Sequence, residues 1–285
     1  ATWDDHESAN NSWMDGAENH QDDEGPWADR LTAAWQAYDE WLPIRPGLEG
    51  KLYRKLAFGD LVDVLVLDTR IVGRDQEDGT PEVIWDPARQ LLGEAQEAWL
   101  FDALRTSEAT WKLLAQQVMM APLLVSMEEE QPGATNPDQW DGYPMARQRL
   151  LDAIEQGGVD GVVVLTGDIH SSWANEIAGI PMDFAADGSA NRAVEFVTPG
   201  ITSPGFPIRN VLETLGPSHP WIRWADGQLR GYVTLTIERK RLQADWWLLP
   251  DGAIDSESYT ACTWAAGFEV EHGVPVLVEA DGPAE

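Results

Sequence analysis

The spacing of hydrophobic residues predicts three helices along the chain. Apolar side chains recur every three or four positions after Pro26, which is typical of an amphipathic helix, and Pro43 ends this helix just after Trp41. The same spacing predicts a second helix over residues 93–107. A third helix is expected over Pro144–Gln156, because it begins with proline and is followed by a Gly-Gly pair.

Runs of valine and leucine without a helical period predict strands. The runs at 61–67 and 161–166 contain enough of both residues to be buried on both faces of a strand. Over residues 51–58 polar and apolar side chains alternate, which predicts a strand with one face exposed to solvent. Further strands are predicted over residues 111–120, 193–197, 230–237, 242–248 and 267–270. Strands that alternate with helices and then give way to a β-rich end indicate a layered α/β fold, and we expect a single domain over residues 1–285.

Charge and composition exclude several classes of function. The chain has 285 residues, of which 43% are hydrophobic, so it is typical of a globular protein. It carries 19 basic and 49 acidic residues, for a net charge of -30. This balance provides no basic patch for nucleic acid and no electrostatic attraction to anionic lipid, and the chain has no apolar run long enough for a membrane span. An anionic ligand would need a local positive charge, for which a bound metal ion is the candidate.

Tryptophan is over-represented, with 15 residues against 5 tyrosines and 6 phenylalanines. Two interpretations are open, namely packing of indoles in the core and a surface that stacks sugars or bases. The acidic stretch over residues 8–25 is predicted to be a solvated loop, because it lacks the carboxylate pattern of a calcium-binding loop. His20 is assigned to the surface of that loop, and the single cysteine, Cys262, to packing rather than nucleophilic chemistry.

Two clusters of carboxylate and imidazole groups are candidates for chemistry. The first is Asp4-Asp5-His6-Glu7, which Asn10-Asn11 follows, and the second is Gly167-Asp168-Ile169-His170 at the end of a predicted strand. Residues two apart in an extended chain point the same way, and the carboxyl ends of parallel strands are where α/β proteins bind ligands. Oxygen donors suit hard cations and imidazole suits Zn, Fe or Mn. A solvated loop and an ordinary turn are the alternatives for the two clusters.

Six segments, taken in order, resemble one family. They are Trp3–Glu7 with Asn10-Asn11, Phe58–Asp63 with Leu67–Arg70, Trp111–Val118, Trp140–Pro144 with Arg147, Leu165–Trp173, and Thr198–Gly205. The sequence resembles the PhoD-type alkaline phosphatases and phosphodiesterases, which belong to the calcineurin-like metallophosphoesterase superfamily. The resemblance implies a four-layer α/β/β/α sandwich with a binuclear metal centre at one sheet edge, containing iron with calcium, or else zinc or manganese.

The resemblance also implies roles for particular residues. It assigns metal ligands to Asp5, Asp168 and His170, a catalytic contact with the phosphate and the leaving-group oxygen to His6, and substrate binding to Asn10 and Arg70. An alternative for Arg70 is pairing with the metal ligands. Gln116 stands where many members of the superfamily place another metal-binding histidine, so that ligand is not expected here.

One departure from the family concerns the start of the sequence. A cysteine-containing segment and a Gly-Asp-x-x-Tyr segment are expected before Trp3, where they would supply a bridging aspartate and a tyrosine ligand. We therefore expect a domain that lacks its amino-terminal part, and with it half of the metal site.

The resemblance predicts hydrolysis of phosphate monoesters or diesters by metal-activated water, with a phosphate ester as the partner. The alternative is a non-catalytic fragment, or a tryptophan-rich binding module without a complete binuclear site. Because family members are commonly exported, the parent protein is expected to be secreted or periplasmic.

Overall fold

Two β-sheets pack against each other at the centre of the molecule. The computed structural model describes residues 1–45, 51–124, 131–206, 215, 218–250 and 261–284. The larger sheet contains β1 (Arg54–Phe58), β2 (Val62–Val66), β3 (Trp111–Ala115), β4 (Val162–Thr166), β5 (Ser172–Ala178), β6 (Asn191–Val197) and β7 (Ile222–Asp226). The smaller sheet contains β8 (Gly231–Ile237), β9 (Arg241–Leu248), β10 (Thr263–Glu271) and β11 (Val274–Glu279).

The order of the strands places four parallel neighbours in the middle of the larger sheet. That order is β1-β2-β3-β4-β6-β5-β7, and β2, β3, β4 and β6 pair in parallel. Strands β1, β5 and β7 pair antiparallel at the two edges. The smaller sheet is antiparallel throughout, in the order β11-β10-β9-β8. The carboxyl ends of β2, β3 and β4 consequently meet at one edge, where loops can present side chains to a common site.

Four α-helices accompany the sheets in the described residues. They are α1 (Trp27–Trp41), α2 (Pro81–Ile84), α3 (Gly93–Thr106) and α4 (Pro144–Gln156). The predictions for α1, α3 and α4 are confirmed to within a residue or two at each end. The short helix α2 was not predicted, since Pro81 opens only one turn within a polar stretch.

Hydrophobic packing divides the molecule into layers. Leu100 of α3 and Leu150 of α4 pack on one face of the larger sheet, in a cluster that includes Leu114 and Val164. The other face packs on the smaller sheet through a second cluster that includes Phe196, Trp246 and Phe268. The α/β class is confirmed, and the described residues form three layers in the order helices, larger sheet, smaller sheet. The second helical layer of the predicted four stays a prediction.

Some predicted strands needed correction. The strand predicted over 111–120 ends at Ala115, and further along the chain the amides of Met120 and Ala121 donate to the carboxylate of Glu195 rather than to a neighbouring strand. Strands β5, β7 and β11 were missed. The first of these is buried along its whole length although it contains Asn175 and Glu176, so its hydrophobic pattern is weak.

The tryptophans lie mainly inside the protein. Trp111, Trp140, Trp173 and Trp246 are fully buried, and among all 15 only Trp41 is largely exposed, at 83%. This distribution favours core packing over a stacking surface. None of the described helices is both long and apolar enough to cross a membrane.

Candidate metal centre

The amino-terminal segment crosses the carboxyl ends of β2 and β3 and is fixed there by hydrogen bonds. The indole of Trp3 donates to Asp68 Oδ2 at 3.1 Å, just beyond β2. Gln117, just beyond β3, donates from its side-chain amide to the Trp3 carbonyl at 2.8 Å and accepts from the Thr69 amide at 2.8 Å. Trp3 also packs edge-on against Trp35 of α1, with ring centroids 5.6 Å apart. These contacts place the residues after Trp3 above the sheet edge.

A 3₁₀ turn over Asp5–Glu7 sets the direction of the Asp5 carboxylate. Asp4 and Glu7 cap the turn reciprocally, because the Asp4 side chain accepts from the Asp5 amide and the Glu7 side chain accepts from the Asp4 amide. Asp5 is buried, and its two oxygens accept the amides of His6 at 2.8 Å and Asn11 at 2.9 Å. Backbone donors therefore hold Asp5 in one orientation.

The turn after β4 has an unusual backbone conformation. Asp168 has a φ of 65° and His170 a φ of 55°, and Asn11 on the facing loop has a φ of 47°. These are the positive φ values found among the described residues that are not glycine. All three residues line one cleft of about 730 Å³. Left-handed conformations of such residues are uncommon, and they cluster at functional sites when the surrounding structure enforces them.

Three carboxylates converge at this cleft. Asp4, Asp5 and Asp168 each offer an oxygen, and these atoms lie within 4.8 Å of one another. Within the described part of the chain, this is the one group of three or more acidic, histidine or cysteine side chains that meets this spacing. Two of the three carboxylates, those of Asp5 and Asp168, were predicted from the sequence as metal ligands.

Arg70 joins the carboxylates from below. It follows β2, its side chain is 0% exposed, and its Nε donates to Asp4 Oδ1 at 2.7 Å. Its Nη2 donates to Asp168 Oδ1 and lies 3.9 Å from Asp5 Oδ1. The guanidinium thus contacts every member of the carboxylate group.

Asp138 is part of the site and was not predicted. Its carboxylate accepts from Arg70 Nη1 at 2.7 and 2.8 Å and from Arg74 Nη2 at 2.5 Å. Arg74 in turn donates to the Thr69 carbonyl at 3.0 Å and to the Tyr143 hydroxyl at 3.2 Å. Asp138 lies in a loop with the sequence Asn-Pro-Asp, which reads as an ordinary turn, so the sequence carried no signal for it.

The ionisation of these groups reflects their burial and mutual repulsion. Burial raises the pKa of Asp168 to about 7, and the carboxylates of Asp4, Asp138 and Asp5 add to the rise against the opposing effect of Arg70. Burial also works against the charge of Asp138, yet Arg70 and Arg74 outweigh it and hold the pKa of this carboxyl below its usual range. Arg70 and Arg74 therefore compensate only part of the negative charge that these four carboxylates carry.

The donor set fits a metal cation. Four carboxylates, those of Asp4, Asp5, Asp138 and Asp168, face the guanidinium groups of Arg70 and Arg74, so negative charge is in excess. Close carboxylate oxygens beside an open cleft are the ligands that hard cations prefer, and excess negative charge that is partly buried is stabilised by such an ion.

The remaining predicted residues lie at the same cleft or next to it. His6 and His170 are both exposed there, with 72% of the His6 side chain accessible. Asn10 also lines the cleft, and its side-chain amide donates to Glu18 at 2.5 Å. Gln116 lies apart, since it bonds in the core to Thr166 and to the indole of Trp140. The structure thus brings Asp5, His6, Asn10, Arg70, Asp168 and His170 together, while their individual roles stay predictions.

Comparison with known proteins relates the chain to one family. The family model of PhoD-like phosphatases matches residues 1–246. Alkaline phosphatase D of Bacillus subtilis (strain 168) is 36% identical over 261 residues, which cover 87% of this chain and 44% of that protein. A solved structure of PhoD superposes with a TM-score of 0.86 at 32% identity and covers 99% of this chain and 55% of its own. The chain therefore spans about half the length of these relatives, and it belongs to the PhoD-like phosphatase family.

Proposed function

We propose that this chain contributes the active site of a metal-dependent phosphate ester hydrolase. The observation that carries the proposal is the convergence of the Asp4, Asp5 and Asp168 carboxylates at a cleft with two exposed histidines. Family membership supports the same reaction class, as does the name of the Bacillus subtilis relative. An acidic protein with a net charge of -30 needs such a local cation to bind a phosphate ester.

The proposed ligands are Asp5, Asp168 and His170, which the sequence predicted, with Asp4 added from the geometry. Bound cations would supply charge that attracts the ester and would lower the pKa of water. Iron with calcium is the metal pair we propose from the family resemblance, with zinc or manganese as the alternative. By the same resemblance we propose that the parent protein is secreted or periplasmic.

His6 is proposed as the proton donor to the leaving group. Its imidazole is largely exposed at the cleft, and Nε2 lies 3.9 Å from Asp5 Oδ2, so the ring stands beside the proposed ligands without being committed to them. A protonated imidazole can donate to the oxygen that leaves, in the manner of a general acid. Asn10, on the same wall, is proposed to contact the substrate through its amide.

Arg70 is proposed to orient the carboxylates rather than to bind phosphate. Its side chain is 0% exposed, and its Nε, Nη1 and Nη2 are all used by Asp4, Asp138 and Asp168. Of the two roles considered from the sequence, burial supports pairing with the ligands.

The proposal is tested by measuring hydrolysis of p-nitrophenyl phosphate and bis(p-nitrophenyl) phosphate with each metal. We expect metal-dependent turnover that Asp168→Asn and His170→Ala reduce to background, while the matched control Asp39→Asn, on an exposed face of α1, leaves it unchanged. Unchanged turnover in both site variants would refute the proposal. Elemental analysis that finds at most one weakly bound metal per chain would instead favour the non-catalytic alternative.

The role of His6 has its own signature. General acid catalysis contributes about 10²–10⁴-fold, and it matters most for leaving groups of high pKa. His6→Asn should therefore slow hydrolysis of an alkyl phosphate far more than that of p-nitrophenyl phosphate. Equal losses on the two substrates would show that His6 does not donate this proton.

A further inference from the structure

One wall of the cleft at the candidate metal centre differs from the others in its chemistry. Polar side chains dominate the walls formed by the amino-terminal segment, by the loop around Asp138 and by the turn after β4. The fourth wall consists of residues 203–206, and it carries Phe206, which is the one phenyl ring among the described residues that line the cleft. Phe206 is 44% exposed, so it is accessible to a ligand in the cleft.

Hydrogen bonds tie this fourth wall to the start of β8. The Gly231 amide donates to the Gly200 carbonyl at 3.1 Å. Arg230 Nε donates to the carbonyls of Thr202 at 3.1 Å and Ser203 at 2.9 Å. The loop is therefore anchored to the smaller sheet where it enters the cleft wall.

The backbone at Phe206 is fixed as well. Its amide donates to the Gly227 carbonyl at 2.6 Å. Gly205 allows this close approach, because a Cβ at that position would lie 2.5 Å from the Gly227 carbonyl oxygen and 2.8 Å from that of Gln228. The phenyl ring is therefore attached to an anchored stretch of backbone, which makes it a preorganised contact surface for a ligand.

The cleft combines the two features that recognition of a phosphate ester requires. It measures about 730 Å³, and ligand sites of about 300–1,000 Å³ commonly join apolar walls to a few polar groups that fix orientation. The carboxylates of Asp4, Asp5 and Asp168 converge where the phosphoryl group is proposed to bind through the metal. The wall with Phe206 offers hydrocarbon to the organic group that the phosphate carries. Single exposed apolar residues are common on protein surfaces, but this one lies in the same cleft as the candidate metal centre.

We propose that Phe206 contacts the organic group of the phosphate ester and favours esters in which this group is an aromatic ring. This role of Phe206 rests on the proposed function, because it requires the phosphoryl group to lie at the candidate metal centre. Aromatic rings attract one another in offset or edge-to-face arrangements, by an amount that corresponds to about 2- to 10-fold in affinity. An alkyl group gains only the burial of its own apolar surface. Phe206 thus selects the substrate and takes no part in breaking the ester bond.

Binding of two phosphonates tests the proposal. Phenylphosphonate and methylphosphonate share an anionic head group, differ in the organic group, and resist hydrolysis because a carbon–phosphorus bond replaces the ester bond. Calorimetry with each metal used for the hydrolysis assays should show phenylphosphonate bound about 2- to 10-fold more tightly. Phe206→Ala should remove this preference and change the affinity for methylphosphonate little, whereas Phe206→Tyr should keep the preference. The control is Phe58→Ala, which should leave both affinities unchanged, since Phe58 is 61% exposed on β1 and does not line the cleft.

Kinetics give a second readout. Phe206→Ala should raise KM for bis(p-nitrophenyl) phosphate and leave kcat unchanged, because the ring contact is the same in the ground state and in the transition state. If the parent chain binds both phosphonates equally, or if its preference survives Phe206→Ala, the role of Phe206 is overturned and the proposed function stands. If the parent chain binds neither phosphonate and hydrolyses no ester, the proposed function fails, and the role of Phe206 fails with it.

Discussion

Two carboxylates, the buried Glu195 and the half-buried Asp168, lie in opposite kinds of surroundings. Glu195 is in the centre of the larger sheet with 0% exposure. Its oxygens accept four neutral donors, which are the amides of Met120 and Ala121, the hydroxyl of Thr166 and the side-chain amide of Asn175. Asp168 instead faces an open cleft and bonds the Arg70 guanidinium, with further carboxylates close by.

The difference separates a structural carboxylate from one that we propose as a metal ligand. Burial raises the pKa of both groups, so charge is unfavourable at both positions. At Glu195 fixed hydrogen bonds from neighbouring groups stabilise the charge, and some of them join β6 to the loop beyond β3. At Asp168 the neighbours increase the repulsion, and an external cation would relieve it. Substitutions at the two positions should therefore change stability in opposite directions.

The largest effect is expected from Arg70→Met, which removes the positive charge that the carboxylates share. Losing one partner of a buried ion pair costs about 3–5 kcal/mol, because the opposite charge is left uncompensated. We expect a loss of this size in the free energy of unfolding, measured by urea denaturation in EDTA. Divalent cations should then raise the melting temperature more in the variant than in the parent chain.

The control for this experiment is Arg239→Met. Arg239 contacts both oxygens of Asp60 at 2.6 and 2.7 Å, but both side chains are largely exposed. Exposed pairs contribute little to stability because solvent screens them, so this variant should be nearly neutral. Equal losses in the free energy of unfolding for Arg70→Met and Arg239→Met would show that Arg70 stabilises the fold no more than an exposed ion pair does.

The next effect is expected from Glu195→Gln. An amide replaces one acceptor oxygen with an NH₂ group, which would face two donors and leave hydrogen bonds unmade. Each buried group left without a partner costs about 1–3 kcal/mol, so the free energy of unfolding should fall by about 2–3 kcal/mol. The exposed Glu94→Gln should stay within about 0.5 kcal/mol. An unchanged free energy of unfolding in Glu195→Gln would show that the hydrogen bonds to Glu195 do not stabilise the fold.

Asp168→Asn should raise the free energy of unfolding, whereas Glu195→Gln should lower it. It keeps an acceptor for Arg70, removes one negative charge from a crowded group, and suits the positive φ of 65° that asparagine tolerates well. In EDTA we expect stability to rise by about 1 kcal/mol, because the raised pKa of Asp168 means that its charged form is unfavourable in the folded protein. Asp39→Asn controls for the change in net charge. A loss of stability at Asp168 would mean that its bond to Arg70 outweighs the repulsion.

The parts of the fold that sequence predicts well are those where burial follows one simple period. Helix α4 is recovered at both ends because proline opens it and glycine follows it. Strand β5 was missed because Asn175 and Glu176 are fully buried yet polar; the Asn175 side chain bonds Glu195 and the Glu176 side chain bonds Asn191. Only the three-dimensional structure brings those partners together, so no local pattern could reveal the strand.

The candidate site divides in the same way. Asp5, His6, Asp168 and His170 lie in short polar runs after or before predicted strands, and they meet at one cleft as expected. Asp138 could not be predicted, since it reaches the site through contacts with Arg70 and Arg74. These arginines precede it in the sequence by 68 and 64 residues. Long-range charge pairing leaves no spacing signal in a single sequence.

The smallest effect extends the comparison to two buried tyrosines. The Tyr38 hydroxyl is buried without a hydrogen-bond partner, whereas the Tyr143 hydroxyl donates to the Asp75 carbonyl at 2.6 Å and accepts from Arg74. Tyr143→Phe should therefore lose about 1 kcal/mol, while Tyr38→Phe should be neutral or gain a few tenths, because no hydrogen bond is broken.

Alkaline pH sharpens this last prediction. Burial, with a contribution from Glu7, raises the pKa of Tyr38 from 10.0 to about 12. A raised pKa in the folded state means that the stability from the neutral phenol is complete below pH 10 and is lost as pH rises towards about 12. Tyr38→Phe cannot ionise, so its advantage over the parent chain should grow across that window in urea denaturation. An advantage that stays constant from pH 9 to about 11.5 would show that the Tyr38 phenol ionises as easily folded as unfolded.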